Sequence, residues 1–154
     1  GRFHPDNGHL YLTGMSAWGT AQLHLPGGFF RVRATGKPSY LPIGLTATED
    51  GVKVTFSEAL DPSSISGEDV IKVRTWALLR SENYGSDHYD KKTLNVSGTS
   101  LSADGKTLTI KLPEIEPVWQ MSIQYKLKGR NGAAVEGEIQ NTIHQLGSED
   151  REIN

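Results

Sequence analysis

Apolar and polar residues alternate along several short stretches of this chain, and a period of two predicts strands with one buried face. The longest such pattern runs from Trp119 to Leu127, with Trp119, Met121, Ile123, Tyr125 and Leu127 on one side and Gln120, Ser122, Gln124 and Lys126 on the other. Val52, Val54 and Phe56 alternate with Lys53, Thr55 and Ser57 in the same way, and Leu108, Ile110 and Leu112 with Thr107, Thr109 and Lys111. Asp50-Gly51 is expected to turn Thr46 to Glu49 into the strand from Val52, since Gly tolerates the positive φ of a tight hairpin. The apolar side of that hairpin is expected to meet Trp119, Met121, Ile123 and Tyr125 across one core.

The remaining segments obey the same grammar. Val70 to Arg80 reads as a long strand with Ile71, Val73, Thr75, Ala77 and Leu79 on one side, and Lys72, Arg74, Trp76, Leu78 and Arg80 on the other. Asp61 and Ser64 are candidate caps of a single helical turn before it. Ser81 to Lys92 is a polar excursion, followed by a short strand at Thr93 to Val96 and a Gly/Ser loop that leads to Leu101. Asn131-Gly132 turns the chain into a last strand with Val135, Ile139 and Ile143 inward. The pattern predicts an all-β protein, an immunoglobulin-like antiparallel β-sandwich of about seven strands over residues 44–146.

Upstream, His9 to Met15 and Phe29 to Ala34 form a two-stranded N-terminal ribbon, with Trp18, His24 and Pro26-Gly27-Gly28 in the connection. Thr35 to Ile43 carries two prolines and a glycine and reads as a linker, so residues 1–43 are set apart as ribbon plus linker. Residues 147–154, rich in charge, are expected to be a flexible tail.

Composition sharpens this picture in three respects. The 154 residues include 17 glycines and 7 prolines, which suits short strands joined by turns, and enough length for a core without staples. Cysteine is absent, which removes disulfides, thiolate metal sites and cysteine nucleophiles together. The net charge is −2 with scattered basic residues, so nucleic acid is not expected as a partner, and no apolar run approaches membrane-spanning length, so membrane insertion is not expected either. The opening GRFHPDNGHLYL lacks the layout of a secretory signal and an initiator Met, so the chain is expected to be a piece of something longer.

Candidate chemistry is sparse. His4, His9, His24, His88 and His144 fall in no metal-ligand frame, and Asp6-Asn7 and Asp87/Asp90 are better explained as turn residues than as a Ca²⁺ site. No Gly-x-Ser-x-Gly occurs, the pairs Glu49-Asp50, Glu68-Asp69 and Glu114/Glu116 fall at turns or strand ends, and Gly27-Gly28 precedes a strand rather than a helix. No catalytic, cofactor-binding or metal residue is therefore assigned. The aromatic residues are the more informative set. Trp119 and Tyr125 read as core, whereas Trp76 alternates with Lys72, Arg74 and Arg80, a mixture found where glycans and protein partners are held. Arg74, Trp76, Arg80, Tyr84, His88 and Tyr89 form the candidate binding surface.

Two stretches carry a resemblance. TFSEALDPSSIS followed by LSADGKTLTIKLP is similar to bacterial Ig-like domains that serve as extracellular spacers or binding appendages. HPDNGHLYLTGMSAWGT with GGFFRVRATGKPSYLPIGL resembles the closing blade and exit linker of large secreted β-propellers related to the glucose/sorbosone dehydrogenases, of planctomycete-type multidomain proteins that often carry a haem-binding cytochrome domain. In that resemblance Asp6-Asn7-Gly8 matches the blade's turn, Leu10-Tyr11 its strand, and Arg31-Val32-Arg33 with Gly36-Lys37-Pro38 its exit. It implies a secreted or periplasmic protein whose catalytic and quinone-binding positions lie outside this chain, and there is no Cys-x-x-Cys-His for haem c. The expected function is a non-catalytic structural or docking module, positioning a propeller or cytochrome domain of the same polypeptide. The alternatives are a carbohydrate-binding module that holds polysaccharide, and a fragment that contributes loops to a neighbouring dehydrogenase-like active site.

Overall fold

A computed structural model describes residues 1–15, 27–67 and 69–148 of the chain. The expected connection residues Trp18, His24 and Pro26, and Glu68, lie outside the described residues. The chain divides into two compact units, Gly1–Lys37 and Pro38–Asn154.

The first unit is an antiparallel sheet of β1 (Arg2–Phe3), β2 (Leu10–Met15) and β3 (Gly27–Val32), in the order β1-β2-β3. The ribbon thus gains a strand, because the turn through Asp6-Asn7-Gly8 brings Arg2–Phe3 back against Tyr11 and Leu10. His4 N–H donates to the His9 carbonyl at 2.8 Å, and the Asn7 side chain accepts from His9 N–H at 2.9 Å. Strand β3 starts at Gly27 rather than Phe29, and the Phe30 ring lies over Gly28. The register aligns Phe3, Leu10 and Val32 in one row and Leu12 with Phe30 in the next, so one face of this sheet is wholly apolar. Phe3, Phe30 and Val32 are exposed on it.

The second unit consists of two antiparallel four-stranded sheets around one apolar core, an all-β sandwich. Its strands are β4 (Pro42–Thr48), β5 (Gly51–Phe56), β6 (Ile71–Leu78), β7 (His88–Leu94), β8 (Gly98–Leu101), β9 (Thr107–Lys111), β10 (Val118–Lys128) and β11 (Ala134–Ile143). One sheet runs β4-β5-β9-β8 and the other β11-β10-β6-β7. A 3-10 turn at Pro62–Ser64 is capped by Asp61, whose carboxylate accepts from Ser63 N–H at 2.9 Å. Val52, Val54 and Phe56 face Met121, Ile123 and Tyr125 in the core, and the Phe56 and Tyr125 rings meet edge to face.

Several expectations are corrected, each for a local reason. The expected sandwich of about seven strands has eight among the described residues, the added one being the Gly/Ser segment before Leu101, which pairs with β9 as β8. Pro42 and Ile43, expected in the linker, open β4; a proline is tolerated on an edge strand, and the register shifts beside it, between Pro42 and Gly44. Tyr40 also belongs to this unit, packed on the core beside Gly129. The polar excursion ends at His88, where β7 begins. Leu79 lies beyond the end of β6 and is exposed rather than inward.

Trp119 is the largest correction. The alternation places it in the core, yet it is 61% exposed. Val118 pairs with Ile143 while Met121 pairs with Asn141, so β10 carries an extra residue in that interval, and a bulge breaks the period of two on which the expectation rests. At the other end, Gly147, expected in the free tail, is tied to β4 by its N–H donating to the Ala47 carbonyl at 3.0 Å and its carbonyl accepting from Glu49 N–H. Residues 149–154 lie outside the described residues.

Candidate functional site

Inward-facing residues of β10 and β6 build the core, so their alternates define an outer face. Cross-strand pairing sets Gln120 opposite Trp76, Ser122 opposite Arg74 and Gln124 opposite Lys72. On the flanking strands, Gln140 stands opposite Ser122, Glu138 opposite Gln124, and Thr93 opposite Arg74. Apart from Lys72, these side chains line an open groove of about 740 Å³ that crosses all four strands of the sheet.

The groove has an aromatic end and a polar floor. At the aromatic end the half-buried Trp76 indole stacks on the exposed His88 imidazole, with ring centroids 4.5 Å apart and planes inclined by 20°. Their meeting depends on a bulge in β7. Thr75 pairs with Lys92 but Ala77 with Tyr89, a one-residue shift across the left-handed Asp90 at φ 49°. An unbroken ladder would set Tyr89 opposite Leu78; the bulge sets His88 there, on the groove face. Trp76 Nε1 and Gln120 Oε1, on directly opposed residues, are buried and make no hydrogen bond among the described residues. A buried donor and acceptor left unmet are costly, and both line this groove.

On the polar floor the buried Ser122 hydroxyl donates to the Glu138 carboxylate at 2.5 Å, and Gln140 adds a longer bond at 3.3 Å. The Ser122 hydroxyl, and next Gln140, hold the Glu138 carboxyl below the usual glutamate range, with burial opposing and Arg74 assisting. A carboxyl so lowered contributes stability that is present above the ordinary glutamate value and lost as pH falls through the lower folded value. Ser122→Ala should therefore raise the Glu138 titration midpoint toward the ordinary range, which carboxyl-resolved NMR titration measures; an unchanged midpoint would count against the hydroxyl as the main cause. Lys92 is committed elsewhere, to Glu116 at 2.8 Å. Arg74 and Lys91 have no ion-pair partner among the described residues.

Of the residues expected to form the binding surface, Arg74, Trp76 and His88 line the groove. Arg80, Tyr84 and Tyr89 do not. Arg80 follows the end of β6, Tyr84 is fully exposed in the connection to β7, and Tyr89 is turned off the groove by the bulge. The amide and hydroxyl floor, Gln120, Ser122, Gln124 and Gln140, was missed because it belongs to strands whose pairing with β6 no local pattern specifies. Its signals are the polar half of the Trp119 to Leu127 alternation and, on the last strand, the outward set Glu136, Glu138, Gln140 and Thr142. No group of three or more His, Asp or Glu is placed to hold a metal ion among the described residues.

A scan of protein-family models finds no match to the chain, and a search of curated proteins finds none.

Proposed function

We propose that the sandwich is a non-catalytic, immunoglobulin-like docking module of a larger extracytoplasmic protein, and that it holds a carbohydrate chain in the groove over β11-β10-β6-β7. The strand orders β4-β5-β9-β8 and β11-β10-β6-β7 support the immunoglobulin-like reading, since they follow the ABED and GFC arrangement with one added edge strand, β7. The observation that carries the carbohydrate reading is the position of Trp76. It stands in a groove of amides and hydroxyls rather than in the core, an apolar face set beside paired donors and acceptors. Secretion or a periplasmic location is supported by the resemblance of the chain to spacer domains and propeller ends of exported proteins.

Removing the indole tests this reading. Trp76→Ala should weaken retention in a polysaccharide affinity gel about 30-fold, the size of a loss of roughly 2 kcal/mol at an aromatic anchor. Unchanged retention of every glycan tried would end the carbohydrate reading.

The apolar face of the first unit favours a second role, docking to a neighbouring domain of the same polypeptide such as a propeller or cytochrome domain. Phe3, Phe30 and Val32 on one sheet face form a surface of the kind that packs on another domain. Limited proteolysis across Thr35 to Leu41 tests it: release of Gly1 to Lys37 with the sandwich still folded is expected, and a resistant connection would count against the separation.

A further inference from the structure

We infer that the occupant of the groove is an acidic polysaccharide, a chain of uronate sugars, bound with its carboxylates on Arg74 and Lys91 and a ring edge on the Trp76–His88 stack. The inference rests on the groove being a carbohydrate site. Its added content is charge. The chain as a whole is net −2, yet the groove is lined by Arg74, Lys91 and Lys92 against the lone carboxylate of Glu138. Glu138 is occupied by Ser122 and Gln140, and Lys92 by Glu116, which leaves Arg74 and Lys91 as the cations without an ion-pair partner among the described residues. A guanidinium in that state matches a carboxylate in two parallel hydrogen bonds.

The rest of the lining fits a sugar better than an acidic peptide. The central strands β10 and β6 are paired on both sides, so an extended peptide finds a free backbone edge only at the outer sides of β7 and β11 and none across the groove floor. What is offered is side chains: amides from Gln120, Gln124 and Gln140, which donate and accept as sugar hydroxyls do. The groove crosses three strand spacings, roughly 14 Å, which accommodates a short run of rings rather than one.

The test is affinity electrophoresis and calorimetry of the full chain with polygalacturonate, with neutral xylan and with polyglutamate, for the natural sequence, the double variant Arg74→Gln/Lys91→Gln, and Trp76→Ala. Polygalacturonate should bind best, weaken as salt rises, and lose roughly tenfold with most of its salt dependence in the double variant, since each exposed ion pair carries up to about a fivefold effect. Trp76→Ala should weaken it at all salt concentrations. Xylan bound as tightly as polygalacturonate, with no effect of the double variant, would overturn the acidic ligand while leaving the carbohydrate reading intact. Polyglutamate bound as tightly as polygalacturonate would overturn the sugar in favour of an acidic peptide. Binding of none of the three would overturn both readings. The exposed Arg74 and Lys91 make no core contact, so the double variant is expected to fold even if Trp76→Ala does not.

Discussion

Phe56→Ala is expected to lower the stability of the sandwich by roughly 3–5 kcal/mol, the range for removing a buried aromatic ring without collapse of the site. Phe56 is 1% exposed, lies on the central hairpin strand, and meets Tyr125 edge to face at 5.5 Å, so it joins the two sheets. The vacated space is walled by strands of both sheets, whose ladders hold them apart and limit relaxation. Against a typical total of about 5–15 kcal/mol, the loss should shift the urea midpoint strongly or leave the unit unfolded. Trp119→Ala is the informative contrast. Its ring is larger, but at 61% exposure its removal should cost less than about 1 kcal/mol. Equal losses for the two would mean that the bulge in β10 does not turn Trp119 outward.

Gly51→Ala should be nearly as damaging, on the order of 4 kcal/mol, for a reason that has nothing to do with burial of apolar area. Gly51 has φ 145°, which side-chain-bearing residues avoid, and a Cβ there would lie 2.0 Å from the Ile110 carbonyl oxygen and 2.9 Å from Leu112 N. Both obstacles are backbone, in the neighbouring strand β9 and in the residue that follows it, so relief requires shifting a ladder, and strain in φ adds to overpacking. Gly44→Ala is the control, since its Cβ would meet only Thr55 at an ordinary 3.6 Å. Thermal or urea unfolding of the two variants should separate them by several kcal/mol; similar midpoints would show that β9 yields easily.

These two glycines also mark how the fold was legible. Asp50-Gly51 is a hairpin signal in any reading of the sequence, yet Gly51 is not a central turn residue. Glu49 and Asp50 make the turn, and Gly51 pairs with Thr48 on one side and Lys111 on the other. The need for glycine comes from β9, a strand far along the chain. The Asp61 cap, by contrast, is a local device and was legible as one.

The candidate site was legible to the extent that alternation survives. Along β6 the period of two holds from Lys72 to Trp76, and it sets Arg74 and Trp76 on the face opposite Val73 and Thr75. His88 and Tyr89 are adjacent in sequence and equally plausible; only the bulge at Asp90 decides that the imidazole, not the phenol, meets Trp76. Trp119 fails for the same reason on β10.

By itself, the chain's pattern of apolar and polar positions determined an antiparallel β-sandwich, the membership of Val52, Val54, Phe56, Met121, Ile123 and Tyr125 in its core, and the outward basic-aromatic character of β6. These follow from side chains alternating across a strand and from the need to bury one face, which are local facts. The tertiary structure alone decided which strands lie side by side, where one extra residue reverses the alternation, and therefore which polar side chains from β7, β10 and β11 gather around Trp76. Register is set by pairing across long stretches of chain, and a bulge shifts it by one residue, a change that turns a side chain from core to groove without altering the local sequence pattern.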